Sequence, residues 1–349
     1  MKNGKSLVEL AQELQRQSEA KQDFVASTEA MEMTNDGHLS LYGSDDERSF
    51  SITDNAHSQI SQRLNIPLKY YKRMRSLAPD LLATNVNTWF LEKPERRMIR
   101  TLDGKARAFL SDRYRRLDNF QLADVVLNVL HDLGDGIKIE SCELTERRMY
   151  IKAVNQRLEL EVREGDVVQA GICVSNSEIG LGSLSVEPLI YRLACTNGMI
   201  AKDFSTKKYH VGRAAEENAF QLFSDETMIA DDKAFFLKVR DTVKSAVELA
   251  KFSQIVQQLK DATQQPIEGN PVKTIDVLAD DFHYSQEESS GILNHLIRGG
   301  DLTAYGLSNA ITRTSQDLDD YDRATDLERD GSKILSLSRS SWKKLATAQ

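Results

Sequence analysis

Apolar residues in the segment 6–20 fall at Leu7, Leu10, Ala11 and Leu14, the i, i+3, i+4, i+7 spacing of a helix that packs one face on a core. Two short strands are expected next, Phe24-Val25-Ala26 and His38-Leu39-Ser40-Leu41-Tyr42, with Asn35-Asp36-Gly37 as a turn between them. Thr53 or Asp54 then caps a helix running through Leu64, Pro67 opens a second through Leu77, and a third spans Leu81 to Leu91. Residues Arg96 to Ser111 read as a β-hairpin turning at Asp103-Gly104, a favoured two-residue turn pair. A helix capped at Asp118-Asn119 runs to Leu133 and is stopped by Gly134 and Gly136. From Ile137 to Met199 the pattern is that of antiparallel strands: Lys138 to Glu140, Arg148 to Val154, Val167 to Ser175, and from Ser183 onward. Ile229, Phe236, Val239, Val243, Val247, Ala250 and Ile255 recur at helical spacing and predict one long helix over residues 225–264. Pro266 and Pro271 mark a linker, after which short helices are expected, including a pair at Ile275 to Phe282 and Ser285 to Arg298.

These elements predict an α+β fold: an antiparallel β-sheet body with flanking helices, a long helix, and a small helical C-terminal region. Two units are expected, a core domain over 1–264 and a helical region over 265–349. A chain of 349 residues with 40% hydrophobic content can bury such a core. No apolar run approaches the roughly 18 residues that span a bilayer, and Met1 to Lys5 lead into an amphipathic helix rather than a signal-peptide core. A cytoplasmic protein without a membrane partner is the expectation. Cys142, Cys173 and Cys195 are widely spaced, with no C-x-x-C pair, and read as reduced core thiols.

Charge changes the picture. The net charge is -8, yet residues 60–118 hold 14 Lys/Arg against 6 Asp/Glu, so this stretch is at +8 and the remainder at -16. A basic stripe on an acidic body confines a polyanion to one groove. Pairing the hairpin arms about Asp103-Gly104 places Arg100 opposite Arg107, with Arg96, Met98, Leu102, Lys105 and Phe109 on their face. Arg97, Ile99, Thr101, Ala106, Ala108 and Leu110 take the other face. Like charges across a strand pair repel, and an anion relieves the repulsion. The expected nucleic-acid-binding residues are therefore Arg97, Arg100, Lys105, Arg107, Arg113, Arg115 and Arg116 for phosphates, with Phe109 and Tyr114 to stack on bases. Lys207 and Lys208, in a second basic-aromatic patch through Arg213, either join the same groove or cap the long acidic-flanked helix that follows. The helix Leu68-Lys69-Tyr70-Tyr71-Lys72-Arg73-Met74-Arg75 also interleaves cations with tyrosines, a pattern that serves a phosphate backbone or, more often, a core.

Catalytic readings lack partners. None of the six histidines stands in H-x-x-x-H or H-x-E form, and no G-x-S-x-G occurs. The glycine-rich stretch Ser175 to Gly182 can approach a ligand closely, but it lacks the Gly-Lys-Ser/Thr ending of a phosphate loop. Asp45-Asp46-Glu47 reads as a solvated loop, and Glu159 and Glu161 are followed by no Glu-x-Lys. Cys195, before an Asn197-Gly198 turn, has only Arg192 as a basic neighbour. No catalytic residue, metal or cofactor is assigned. A helix-turn-helix at residues 275–298 is disfavoured because Glu287, Glu288, Asn294 and His295 stand where a DNA reader carries arginines.

Five segments carry a family likeness: Ala108 to Tyr114 in the hairpin, Val174 to Glu178, Leu193 to Gly198, Leu302 to Leu307, and Tyr321 to Thr325. Together they resemble a phage- and plasmid-encoded family catalogued as a domain of unknown function (number 932). The resemblance implies a protein of mobile genetic elements and supplies no mechanism. In element order the chain is also similar to annealing recombinases that pair single strands in rings. The expected function is thus non-enzymatic single-stranded DNA binding or strand annealing in recombination by a homo-oligomer, with single strands favoured over duplex. The alternative is an anti-restriction protein that meets a host defence protein as an acidic DNA mimic, through Asp225-Glu226, Asp231-Asp232, Asp317 and Asp319-Asp320.

Overall fold

The computed structural model of the chain describes residues 1–43, 47–114, 116–182, 184–201, 225–246 and 248–349. It is built on two mostly antiparallel sheets with helices, an α+β arrangement. The first sheet holds six strands, β1 (Gln22–Ser27), β2 (Met31–Met33), β3 (His38–Tyr42), β4 (Glu47–Ile52), β5 (Arg96–Leu102) and β6 (Lys105–Ser111), in the order β1-β5-β6-β4-β3-β2. All its pairings are antiparallel except β4 with β6. One face is closed by α2 (Asp54–Arg63), α3 (Leu68–Leu77) and α4 (Pro79–Glu92), whose Ile60, Tyr71, Val86 and Phe90 meet Leu39, Ile99 and Phe109 of the sheet.

The second sheet is a meander of β7 (Ile137–Leu144), β8 (Met149–Arg163), β9 (Asp166–Asn176), β10 (Ser185–Arg192) and β11 (Gly198–Ile200). Alternation along β8 divides its two faces. Met149, Ile151 and Ala153 pack with α1 (Leu7–Ala20), α5 (Asn119–Asp132) and α6 (Asp225–Ala246), while Tyr150 and Val154 meet Tyr321 of α11 (Tyr321–Leu335). The far end of the ladder, at Val162, Val168 and Ala170, shares one apolar cluster with α7 (Leu249–Thr263), α8 (Pro271–Phe282), α9 (Gln286–Gly299), α10 (Ala304–Thr314) and α12 (Arg339–Ala346). That cluster runs across the boundary expected at residue 264.

Several local expectations are corrected. The long helix is two: α6 ends at Ala246 and Glu248 becomes the N-cap of α7. β2 and β4 were not anticipated, and the Asn35-Asp36-Gly37 turn joins β2 to β3. Near Asn197-Gly198 the left-handed residue is Thr196, φ 54°.

The hairpin turns where the sequence placed it, with Asp103 at φ 51° and Gly104 at φ 73°, the positive angles a two-residue hairpin turn requires. Its register departs. Leu102 pairs with Lys105 and Thr101 with Ala106, but a β-bulge follows and Arg100 pairs with Ala108, leaving Arg107 as the extra residue. A slip of one residue exchanges the faces of everything beyond it. Ile99 therefore stands opposite Phe109, both within the core, and Arg100 does not face Arg107.

Candidate nucleic-acid interface

The second face of the hairpin is covered by the chain itself. Arg100 is 0% exposed, and its guanidinium donates from Nε to Asp23 at 2.9 Å, from Nη2 to Asp118 at 2.6 Å and from Nη1 to the Glu178 carbonyl at 3.0 Å. Burial opposes its charge, but the bonds and attraction of Asp118 and Asp23 outweigh burial and raise its pKa. Asp118 is itself pushed upward by burial, yet Lys21 at 2.7 Å and Arg100 hold its carboxyl below the usual range. Arg107 donates from Nη2 to Glu178 Oε2 at 3.0 Å, and the other oxygen of Glu178 accepts from the Asn119 amide at 2.7 Å. Lys21, Arg100 and Arg107 are thus balanced by Asp23, Asp118 and Glu178. An internally neutral cluster offers a polyanion little attraction.

The glycine-rich loop is used in the same closure. The Ile179 carbonyl accepts from Asn55 Nδ2 at 3.2 Å and from Gln59 Nε2 at 2.8 Å, and Gly180 sits at φ 76°, where a Cβ would come within 2.7 Å of Leu110. At Gly180 its close approach is to Leu110 of the hairpin.

The remaining expected residues scatter. Arg97 is buried against Glu95 at 2.6 Å and over the Phe109 ring, and Phe109 stacks on Phe90 in the core, where no base can reach it. Tyr114 is half-buried and donates to the Ser177 carbonyl at 3.3 Å. Lys105 is exposed at the hairpin tip, whereas Arg113 and Arg116 are exposed beyond the other end of β6, about 20 Å away at the rise of a strand. Arg116 lies 3.5 Å from Asp23. Arg115, Lys207 and Lys208 lie outside the described residues. No groove is formed by those of the set that are described.

A basic, aromatic surface stands elsewhere, on α3. Tyr71 and Met74 are buried at 0% and 2%, which turns Lys69, Lys72, Arg73 and Ser76 outward at i, i+3, i+4 and i+7. Tyr70 flanks them at 47% exposure. The helix contains no acidic residue. Among the described residues no ion pair engages Lys69, Lys72 or Arg73, while Arg75 is held by Asp54 at 2.7 Å. Beneath the surface, the Tyr71 hydroxyl and His57 Nδ1 lie 2.9 Å apart, joining α3 to α2. Burial, with Arg75 adding to it, pushes the His57 pKa down to about 4, so the ring is neutral near pH 7. The sequence held the signal that separates the two tyrosines: Tyr71 shares a helical face with Met74, and Tyr70 with Arg73.

Other candidate groups are tied to partners within the chain. Among the described residues no group of three His, Cys, Asp or Glu side chains converges as a metal site. Arg192, bidentate to Asp166, and Asn197 and Tyr305 line a cavity of about 10 Å³, room for one water. Cys195 sits beside it on a turn, 3.2 Å from Arg192 Nη1. Of the acids offered as a DNA mimic, Asp317 is 2.6 Å from His295 and Asp320 caps α11. The side chains of Asp225, Glu226, Asp231 and Asp232 lie outside the described residues.

A family model described as a domain of unknown function (DUF932) matches residues 108–337. No curated protein and no solved structure matches the chain. The matched segment holds β7 to β11 and most of the C-terminal helices, and it begins after α3.

Proposed function

The chain belongs to the DUF932 family, and for this member we propose DNA binding without catalysis, by a surface centred on α3. The observation that carries the reading is the row Lys69, Lys72 and Arg73 on one exposed helical face, beside Tyr70 and in no ion pair among the described residues; the Asp54 carboxylate acts on Lys72 only at longer range and is bound by Arg75. Cations left unpaired on a chain of net charge -8 concentrate its attraction for phosphate at one place. Tyr70 supplies a ring on which an unpaired base can stack, which is the support that single-strand binding and annealing retain once Arg100, Arg107 and Phe109 are enclosed.

The test is a salt titration of fluorescence anisotropy, using a labelled oligonucleotide of mixed sequence, single-stranded in one series and duplex in the other. Binding at about 50 mM salt that weakens log-linearly with salt concentration is expected. A protein that shifts neither probe at low salt ends the proposal. Reversing Lys69 and Arg73 to glutamate should abolish the shift while the circular dichroism spectrum stays unchanged, because both side chains are exposed.

A further inference from the structure

We propose that α2 and α3 form a helix-turn-helix and that α3 reads the major groove of duplex DNA. The inference rests on the DNA-binding reading above and specifies the form of DNA and the way it is read.

The turn is the first ground. Residues Leu64, Asn65, Ile66 and Pro67 are all that separate α2 from α3, within the length of a helix-turn-helix link. Asn65 takes φ 53°, the left-handed conformation that reverses a chain tightly and that Asn adopts more readily than other residues bearing a Cβ. Ser61 clasps the turn: its hydroxyl donates to the Ile66 carbonyl at 2.6 Å and its carbonyl accepts from the Ile66 amide at 2.9 Å. A serine, 1% exposed, is small enough to let the turn close on α2.

The second ground is how the pair is held. Ile60, Ile66, Tyr71 and Met74 are buried, and the His57–Tyr71 contact ties helix to helix, so the unit is supported from behind by the six-stranded sheet and α4. The opposite face of α3 is left to solvent along its length. Its first turn, at Leu68 and Lys69, has no side-chain cap and no acid. In this architecture the second helix lies in the major groove with its start on base edges, and basic residues further along its exposed face reach the flanking phosphates. Lys69 is placed for the first role, and Lys72 and Arg73 for the second.

The same chain supplies a contrast. α8 and α9 are joined by a link one residue shorter, His283-Tyr284-Ser285, with His283 left-handed at φ 58°. There the second helix opens with Glu287 and Glu288 and has its one arginine, Arg298, in the last turn. Both links are short and carry a left-handed residue, but the second helices differ in charge, and of the two α3 is the one complementary to phosphate.

The experiment takes the full chain, a random-sequence duplex of about 24 base pairs and the corresponding single strand, about 2.5 helical turns of DNA. The duplex should bind more tightly than the single strand. Lys72→Ala with Arg73→Ala should weaken duplex binding at least tenfold and reduce the slope of log K against log salt by roughly two. In vitro selection from a random duplex pool should return a preferred sequence, and Lys69→Ala should change it. A control pair on α12, Lys343→Ala with Lys344→Ala, should leave affinity and selected sequence as they were. If single strands bind better, if the α3 variants lower both forms equally, or if selection returns no sequence, the helix-turn-helix is overturned while DNA binding stands. If neither form binds, both fall.

Discussion

Asp118 occupies the N-cap position of α5, yet its carboxylate closes on Arg100 Nη2 at 2.6 Å and makes no bond to the helix. An N-cap aspartate contributes about 1 kcal/mol by satisfying an orphan amide. A buried guanidinium without a counter-charge costs several times that, so the carboxylate goes to the arginine. The Asn119 amide is served instead by Glu178. The hairpin's arginine thus ties the first sheet to the start of α5 and to the loop that follows β9.

Replacing Arg100 with alanine should accordingly destabilise the fold by about 3–5 kcal/mol, since Asp23 and Asp118 lose the buried guanidinium they share and keep only Lys21 and Arg116. Urea denaturation checks the loss. Affinity of the folded protein for DNA and its salt slope should be unchanged, and a flatter slope would return Arg100 to the interface.

Lys152 and Glu328 form a second internal pair, 2.6 Å apart and both 0% exposed, joining β8 to α11. Lys152 also donates to Thr325 and lies over the Tyr321 ring. Burial lowers its pKa, but Glu328 more than offsets this and the net shift is upward, so the ammonium stays charged. Glu328→Gln should cost about 3–5 kcal/mol by stranding it. Lys152→Met with Glu328→Leu should recover most of that loss in the same denaturation experiment, because neither charge of the pair remains.

His57 makes stability depend on pH. Burial lowers its folded pKa to about 4 from the ordinary 6.5, so between those values the unfolded chain takes up a proton that the folded one refuses. Stability is then fully present above pH 6.5 and falls as the solution is acidified toward pH 4, by up to about 3 kcal/mol from this group. Thermal unfolding followed across that window should show the decline, and His57→Gln should flatten it.

At Asn65 the backbone alone makes a prediction. Asn65→Ala should cost about 1 kcal/mol, because alanine resists φ 53°, whereas Asn65→Gly should sit within a few tenths of the parent. Equal midpoints for the two variants in thermal denaturation would show that the turn relaxes elsewhere.

How much was legible follows the range over which each feature is encoded. Thr53 caps α2, Ser285 forms a capping box on α9, and Asp103-Gly104 turns the hairpin, all through bonds or angles local to a few residues. The bulge at Arg107 was invisible because its cause is distant: Asp23, Asp118 and Glu178 lie on other elements and draw Arg100 to the face opposite the core. With the register went the expected site, since Phe109 moved inward with Ile99. β2 is three residues long and β4 meets β6 over two pairings, too little for a periodic pattern. The sequence predicts α2 and α3 as two helices and does not mark the turn between them, because Asn65 stands where a glycine would be conspicuous.

The shared apolar cluster at the far end of β8 and β9 bears on any shortened form of the chain. A fragment ending near residue 264 would keep both sheets but strip Ile292, Leu296, Leu307 and Ile311 from Val162, Val168 and Ala170. The wetted strip of strand would then seek a second molecule, so such fragments should clump where the intact chain stays dispersed. The C-terminal helices act as a built-in guard for the ladder they cover.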